Sequence, residues 1–175
     1  MNRILSLAAA LGACTVVATS AWSGPEKITF PADYKQSFTF YATVDRADNN
    51  QVRKAFANPA AVTGAKAGAP LPAGAQIVME VYDARLDYNG KPALDAAGKF
   101  IPGDLKVLAV MEKGEGWGAA YPEAMRNGDW EYAFFKPDGS LKADTDVKTC
   151  FECHKPQVDS DYMFLLDSLV ETASK

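Results

Sequence analysis

The chain holds one histidine in 175 residues, and that histidine closes the run Cys150-Phe151-Glu152-Cys153-His154. A single imidazole excludes zinc sites built from several histidines, bis-histidine iron ligation, and a catalytic Ser-His-Asp set beside any second histidine function. Two thiols separated by two residues and followed at once by an imidazole suit a particular chemistry. The thiols can form thioethers with the vinyl edges of haem, and the adjacent ring supplies a nitrogen to the iron. A disulfide between Cys150 and Cys153 leaves His154 without a role. Zinc would lack a fourth ligand, and a thioredoxin-type pair belongs near the N-terminus in a βαβ context. Haem c, covalently held and one per chain, is the expected cofactor.

The N-terminus agrees with an oxidising compartment. Asn2 and Arg3 precede an uncharged run over residues 4–18, and small residues then stand at Ala18, Ser20, Ala21 and Ser23. This is the pattern of a secretory leader over 1–23, too short to span a membrane, leaving 24–175 as a single haem-binding domain exported to a periplasm. A second reading takes Leu11-Gly12-Ala13-Cys14 as a lipoprotein box with Cys14 as the anchored residue. In both readings Cys14 stays outside the folded domain. A net charge of −4 gives no basic surface for nucleic acid. With 48% hydrophobic and 23% charged residues, an ordinary packed core is expected.

Pattern then places the elements. Residues 37–44 (SFTFYATV), 76–82 (QIVMEVY), 105–113 (LKVLAVMEK) and 130–135 (WEYAFF) are rich in β-branched and aromatic residues and read as strands. Residues 50–57 (NQVRKAFA) put Val52, Ala55 and Phe56 on one helical face, with Asn50 as cap and Asn58-Pro59 as terminator. Residues 63–74 read as a Gly/Ala/Pro loop and Tyr88-Asn89-Gly90-Lys91 as a hairpin turn. Residues 114–129 read as a long connection. A terminal helix capped by Asp159 or Ser160 presents Tyr162, Leu165, Leu166, Leu169 and Val170. The expected class is α+β, mainly an antiparallel sheet with a few helices and the haem attachment motif near the C-terminus.

The order of these segments, with "PAGAQIVMEVY", "VMEKGEGWG", "NGDWEYAFF" and the late CxxCH, resembles the cytochrome P-460 / cytochrome c′-beta family over roughly residues 30–169. Four strands argue against the four-helix cytochromes c′, which also carry the motif late. The resemblance implies a mainly β fold, a haem c and a homodimer. Its P-460 members oxidise hydroxylamine and nitric oxide through a haem cross-linked to lysine, whereas c′-beta members lack the link and bind small gases in an apolar pocket.

Met79 stands at the position that matches the lysine, and a thioether cannot make that link. The resemblance therefore implies a methionine variant. Met79 is either a soft iron ligand paired with His154, which raises the reduction potential, or strand packing. Met111, Met125 and Met163 compete for the same role. Glu112 matches a pocket carboxylate able to take protons from a nitrogenous substrate, and Arg53 matches a pocket arginine suited to a distal ligand or a haem propionate. The plain alternatives are a solvated glutamate and an exposed arginine. Phe56, with Phe38 and Tyr82, is an expected pocket wall. Trp117 and Trp130 read as packing. The expected function is gas binding or electron transfer, with a redox partner protein in the latter case. The alternative is an oxidoreductase acting on hydroxylamine or nitric oxide through Glu112 and Arg53.

Overall fold

A computed structural model describes residues 25–67 and 70–175. The expected leader and Cys14 lie outside the described residues. Five strands form one antiparallel meander in the order β1-β2-β3-β4-β5. They are β1 (Thr39–Arg46), β2 (Gln51–Ala57), β3 (Gln76–Ala84), β4 (Pro102–Lys113) and β5 (Trp130–Phe135). The helices are α1 (Tyr34–Ser37), α2 (Pro59–Ala67), α3 (Lys148–His154) and α4 (Leu166–Ala173). The α+β class expected from the sequence is the one observed.

The segment 50–57 is a strand, not a helix. It lies between β1 and β3 with ladder partners on both sides, Arg53 opposite both Val44 and Val81. Both faces of this strand are covered, so its apolar residues do not alternate cleanly and mimic a helical spacing. Asn50 is not a helix cap; it takes φ 52° at the end of the β1–β2 turn, a conformation Asn tolerates better than most residues.

Asn58-Pro59 starts a helix instead of ending one. The Asn58 side-chain oxygen accepts the Ala61 N–H at 2.9 Å and Pro59 takes the first helical position, so the expected 63–74 loop begins within α2. The buried face of α2 is Ala61, Gly64 and Ala65, residues too small to make an apolar stripe in sequence. Gly64 is required there: a Cβ would stand 2.3 Å from the Pro72 ring.

The terminal helix also starts later than expected. Asp159 and Ser160 lie in a 3-10 turn, and the chain reverses through Asp161 and Tyr162 (φ 51° and 61°) before α4 begins.

Alternation along the strands sorts residues to two cores. One face carries Ala55, Ile77, Met111, Trp130 and Tyr132 and packs under α2, α3 and α4 through Ala61, Phe151 and Leu169. The other carries Val78, Leu108, Val110, Ala133 and Phe135 and is covered by Ile28 and Tyr34 from the N-terminal segment. Each fully buried Leu, Phe or Val contributes about 1.5–3 kcal/mol, so both layers are substantial.

Candidate haem site

The motif run forms α3, so Cys150, Cys153 and His154 fall at i, i+3 and i+4 on one helical face. Phe151, the residue between them on the opposite side, is 1% exposed and locks the helix against Tyr121 and Tyr132, whose rings lie 4.6 and 4.9 Å away. Asn127 is fully buried and donates to the Phe151 carbonyl and the Tyr132 hydroxyl, both at 3.0 Å. One amide therefore ties the long 114–129 connection to the motif.

His154 is oriented on three sides. The Tyr162 carbonyl lies 2.7 Å from Nδ1, and because a carbonyl only accepts, Nδ1 carries the proton and Nε2 keeps its lone pair. Tyr132 and Phe164 pack against the ring at 4.9 and 5.0 Å. Burial is the main influence on its titration and pushes its pKa below the ordinary value. Arg53 adds to this and the Tyr162 carbonyl opposes it. A neutral imidazole with one fixed tautomer is the form that ligates a metal.

Next to this helix lies a cavity of about 350 Å³, within the ~300–1,000 Å³ range of cofactor sites. Its sheet wall is Val44, Arg53, Ile77, Met79, Val81 and Met111, and its C-terminal wall is Cys150, His154, Phe164 and Leu165. Met79 pairs with Ala109 and Ile77 with Met111, which puts the two methionines diagonally across β3 and β4 on the same face. The charged residues on the walls are Arg46 and Arg53. Arg46 is held by Asp48 at 2.7 Å, whereas the buried Arg53 Nε has no hydrogen-bond partner. Burial lowers the Arg53 pKa, with the neighbouring Arg46 charge adding to the effect. Burial likewise pushes the Cys150 thiol up to about 11.

These residues fit a haem. The cavity is apolar, a correctly tautomeric imidazole and a thiol line it, a second thiol shares their helical face, and an orphaned arginine N–H is available to an anionic group.

Glu112, the expected aromatic walls Phe56, Phe38 and Tyr82, and the competing methionines Met125 and Met163 are all absent from the cavity lining. Glu112 follows Met111 by one position and so projects from the opposite sheet face, where it accepts from Gln76 Nε2 at 2.8 Å. Phe56 does the same beside Ala55, packing against Tyr34 at 5.4 Å and Phe40 at 5.5 Å. Phe38 joins Phe56 in that layer, and the Tyr82 hydroxyl donates to Glu80 at 2.8 Å. Sequence reading missed Tyr132, Phe164 and Leu165, which do line it, and Asn127, Asp161, Tyr162 and Lys113, which support it from behind. Alternation in WEYAFF and proximity to the motif were available signals for the first three. The paired left-handed residues 161–162 have none, since neither is glycine.

No curated protein matches the chain. Residues 31–165 match the cytochrome P460 family, a span that takes in all five strands, the cavity walls and the motif. The chain belongs to the cytochrome P460 family of haem proteins.

Proposed function

We propose that this chain is a periplasmic haem c protein that binds small gases such as nitric oxide or transfers electrons, without turnover of its own. In this reading Cys150 and Cys153 hold the haem covalently, one per chain, and His154 is the proximal ligand. Met79, on the sheet wall of the same cavity, would offer its sulfur to the iron, with Met111 beside it as the competing donor. Bound there, haem supplies an iron that takes diatomic gases and exchanges single electrons.

The composition of the cavity wall carries this reading. The lining contains two thioethers and no lysine or carboxylate. A cross-link of the lysine type has no amine to form from, and proton transfer from a nitrogenous substrate has no carboxylate in the lining to accept it once Glu112 lies behind the sheet. Hydroxylamine oxidation is therefore the less favoured alternative. The chain's own contribution is to hold Nε2 of His154 toward the cavity, to exclude water with Val81, Leu165 and Phe164, and to offer the Arg53 Nε–H to a carboxylate or a polar ligand.

Export through the 1–23 leader, pairing of two copies and docking of a redox partner protein belong to the same proposal. Mass spectrometry of the protein matured in an exporting host tests its basis. One haem per chain is expected on the 24–175 product, lost in the double variant Cys150→Ser, Cys153→Ser. A protein free of covalent haem, or one that rapidly oxidises hydroxylamine, would overturn it.

A further inference from the structure

The residues behind His154 converge on one carboxylate. Asp161 is buried, and its two oxygens accept from Lys113 Nζ at 2.8 and 2.9 Å and from the Leu71 N–H at 2.8 Å. Lys113 ends β4 and sits over the Trp130 ring at 5.6 Å; Leu71 belongs to the loop after α2. Three separate parts of the fold thus meet one residue before Tyr162, whose carbonyl holds His154.

That carbonyl points where it does because Asp161 and Tyr162 both take left-handed backbone angles, which L residues rarely adopt in succession. Local hydrogen bonds brace the reversal: Tyr162 N–H to the Gln157 carbonyl at 2.7 Å, and Ser160 Oγ to the Met163 carbonyl at 2.7 Å. They fix the turn within its own segment. Met163 packs the segment into the core, and among the hydrogen bonds of the described residues those of the Asp161 carboxylate tie it to the sheet and to the α2 loop. A sparsely populated backbone persists when its surroundings over-determine it, and here Lys113 and Leu71 supply that surplus.

We infer that Asp161 and Lys113 are a positioning pair for the haem-binding histidine: their buried ion pair anchors the Tyr162 carbonyl, and through it the tautomer and ring orientation of His154. The inference rests on the reading of His154 as iron ligand, and it concerns how firmly that ligand is held. A strong Nδ1–H···O bond makes the imidazole a better donor and favours the oxidised metal. Loosening it moves the reduction potential upward.

The test compares holoprotein of wild type, Asp161→Asn and Lys113→Met. Asn tolerates the left-handed backbone and can still accept from Leu71, so Asp161→Asn isolates the charge. Lys113→Met leaves the carboxylate and its Leu71 bond in place, so it serves if Asp161→Asn fails to fold. The readout is hydrogen exchange of the His154 Nδ1–H by NMR in the diamagnetic ferrous carbon monoxide complex, with the reduction potential alongside. Exchange about tenfold faster and a raised potential are expected in both variants, as for loss of one buried charged hydrogen bond. Val78→Ala, on the opposite sheet face, is the control for general destabilisation and should leave both readouts near wild type. Unchanged exchange in Asp161→Asn and Lys113→Met would overturn the pair's role while leaving the haem reading intact. A wild-type protein whose iron is not bound by His154 would overturn the reading itself.

Discussion

Met79 and His154 line one cavity from two different walls, the methionine from β3 of the sheet and the histidine from the end of α3. Nothing in the linear sequence brings them together; the meander does, by exposing one face of β3 to the C-terminal segment. This relationship turns a methionine in a strand into a candidate ligand, and it separates the chemistry of the site from that of Glu112.

Removing the sulfur should open the site. Met79→Ala is expected to accelerate carbon monoxide binding to the ferrous protein at least tenfold, measured by stopped flow, at a stability cost of about 1–3 kcal/mol for a half-buried methionine. Met111→Ala, one diagonal step away and more deeply buried, should cost about 2–5 kcal/mol and leave the binding rate closer to wild type. The reverse order of rates would transfer the ligand role to Met111.

Asn127 does not line the cavity, yet it should matter to the site. Asn127→Ala removes two buried hydrogen bonds and leaves the Phe151 carbonyl with its helical bond from the Lys155 N–H alone, a loss of about 1–3 kcal/mol by chemical denaturation. The effect should reach the motif helix: limited proteolysis near α3 is expected to increase in the variant. A loss below about 0.5 kcal/mol would mean that the tie to α3 is redundant.

Two carboxylates on the face away from the cavity should give stability profiles of opposite slope. Burial raises the Glu131 carboxyl above its ordinary value despite donors from Tyr121 and the Tyr132 N–H. The neutral form is then the better-folded one, so its contribution is full below the unfolded value and is lost as pH rises through the folded value. Glu131→Gln mimics that neutral form and should gain on wild type as pH rises from about 4 to 7. For Glu80, burial alone would raise the carboxyl, but Tyr34, Tyr82 and Lys35 together hold it below its ordinary value. Its contribution is present above the unfolded value and is lost as pH falls, so Glu80→Gln should lose ground over the same rise. Thermal melts of the three proteins at pH 4, 5, 6 and 7 read both slopes.

In the haem-free 24–175 chain the two motif thiols should differ. Cys153 is exposed, whereas Cys150 is largely enclosed and burial pushes its thiol up to about 11. Reaction needs the thiolate and access to it. Alkylation at pH 8 should therefore label Cys153 first and Cys150 slowly, as followed by peptide mapping. Equal rates would show that α3 opens readily without haem.

Much of the sheet was legible because its strands carry their own pattern: β5 runs over Trp130–Phe135, the same residues the composition marks out. The miss at β2 has a physical cause, since a central strand buried on both faces loses its period of two. The miss at α2 follows from small residues, whose burial depends on a close approach to Pro72 that no periodicity records. In the site, the motif was readable from residue chemistry alone. Glu112 was expected from the resemblance and Phe56 as an aromatic wall, yet each stands one step along its strand from Met111 or Ala55, and that step reverses the face. The Asp161-Tyr162 reversal depends on Lys113 and Leu71, which lie far away in sequence, and only the folded chain reveals it.

The most direct test of the site is the optical spectrum of the purified holoprotein, ferric and ferrous, before and after carbon monoxide, with Met79→Ala beside it. If Met79 closes the site opposite His154, the ferric protein shows a near-infrared methionine-to-iron band that the variant lacks. The wild-type ferrous spectrum is then low-spin and slow to change with the gas. A high-spin wild type that binds carbon monoxide at once, with a spectrum matched by Met79→Ala, would contradict methionine closure and leave Met79 as part of the strand's packing.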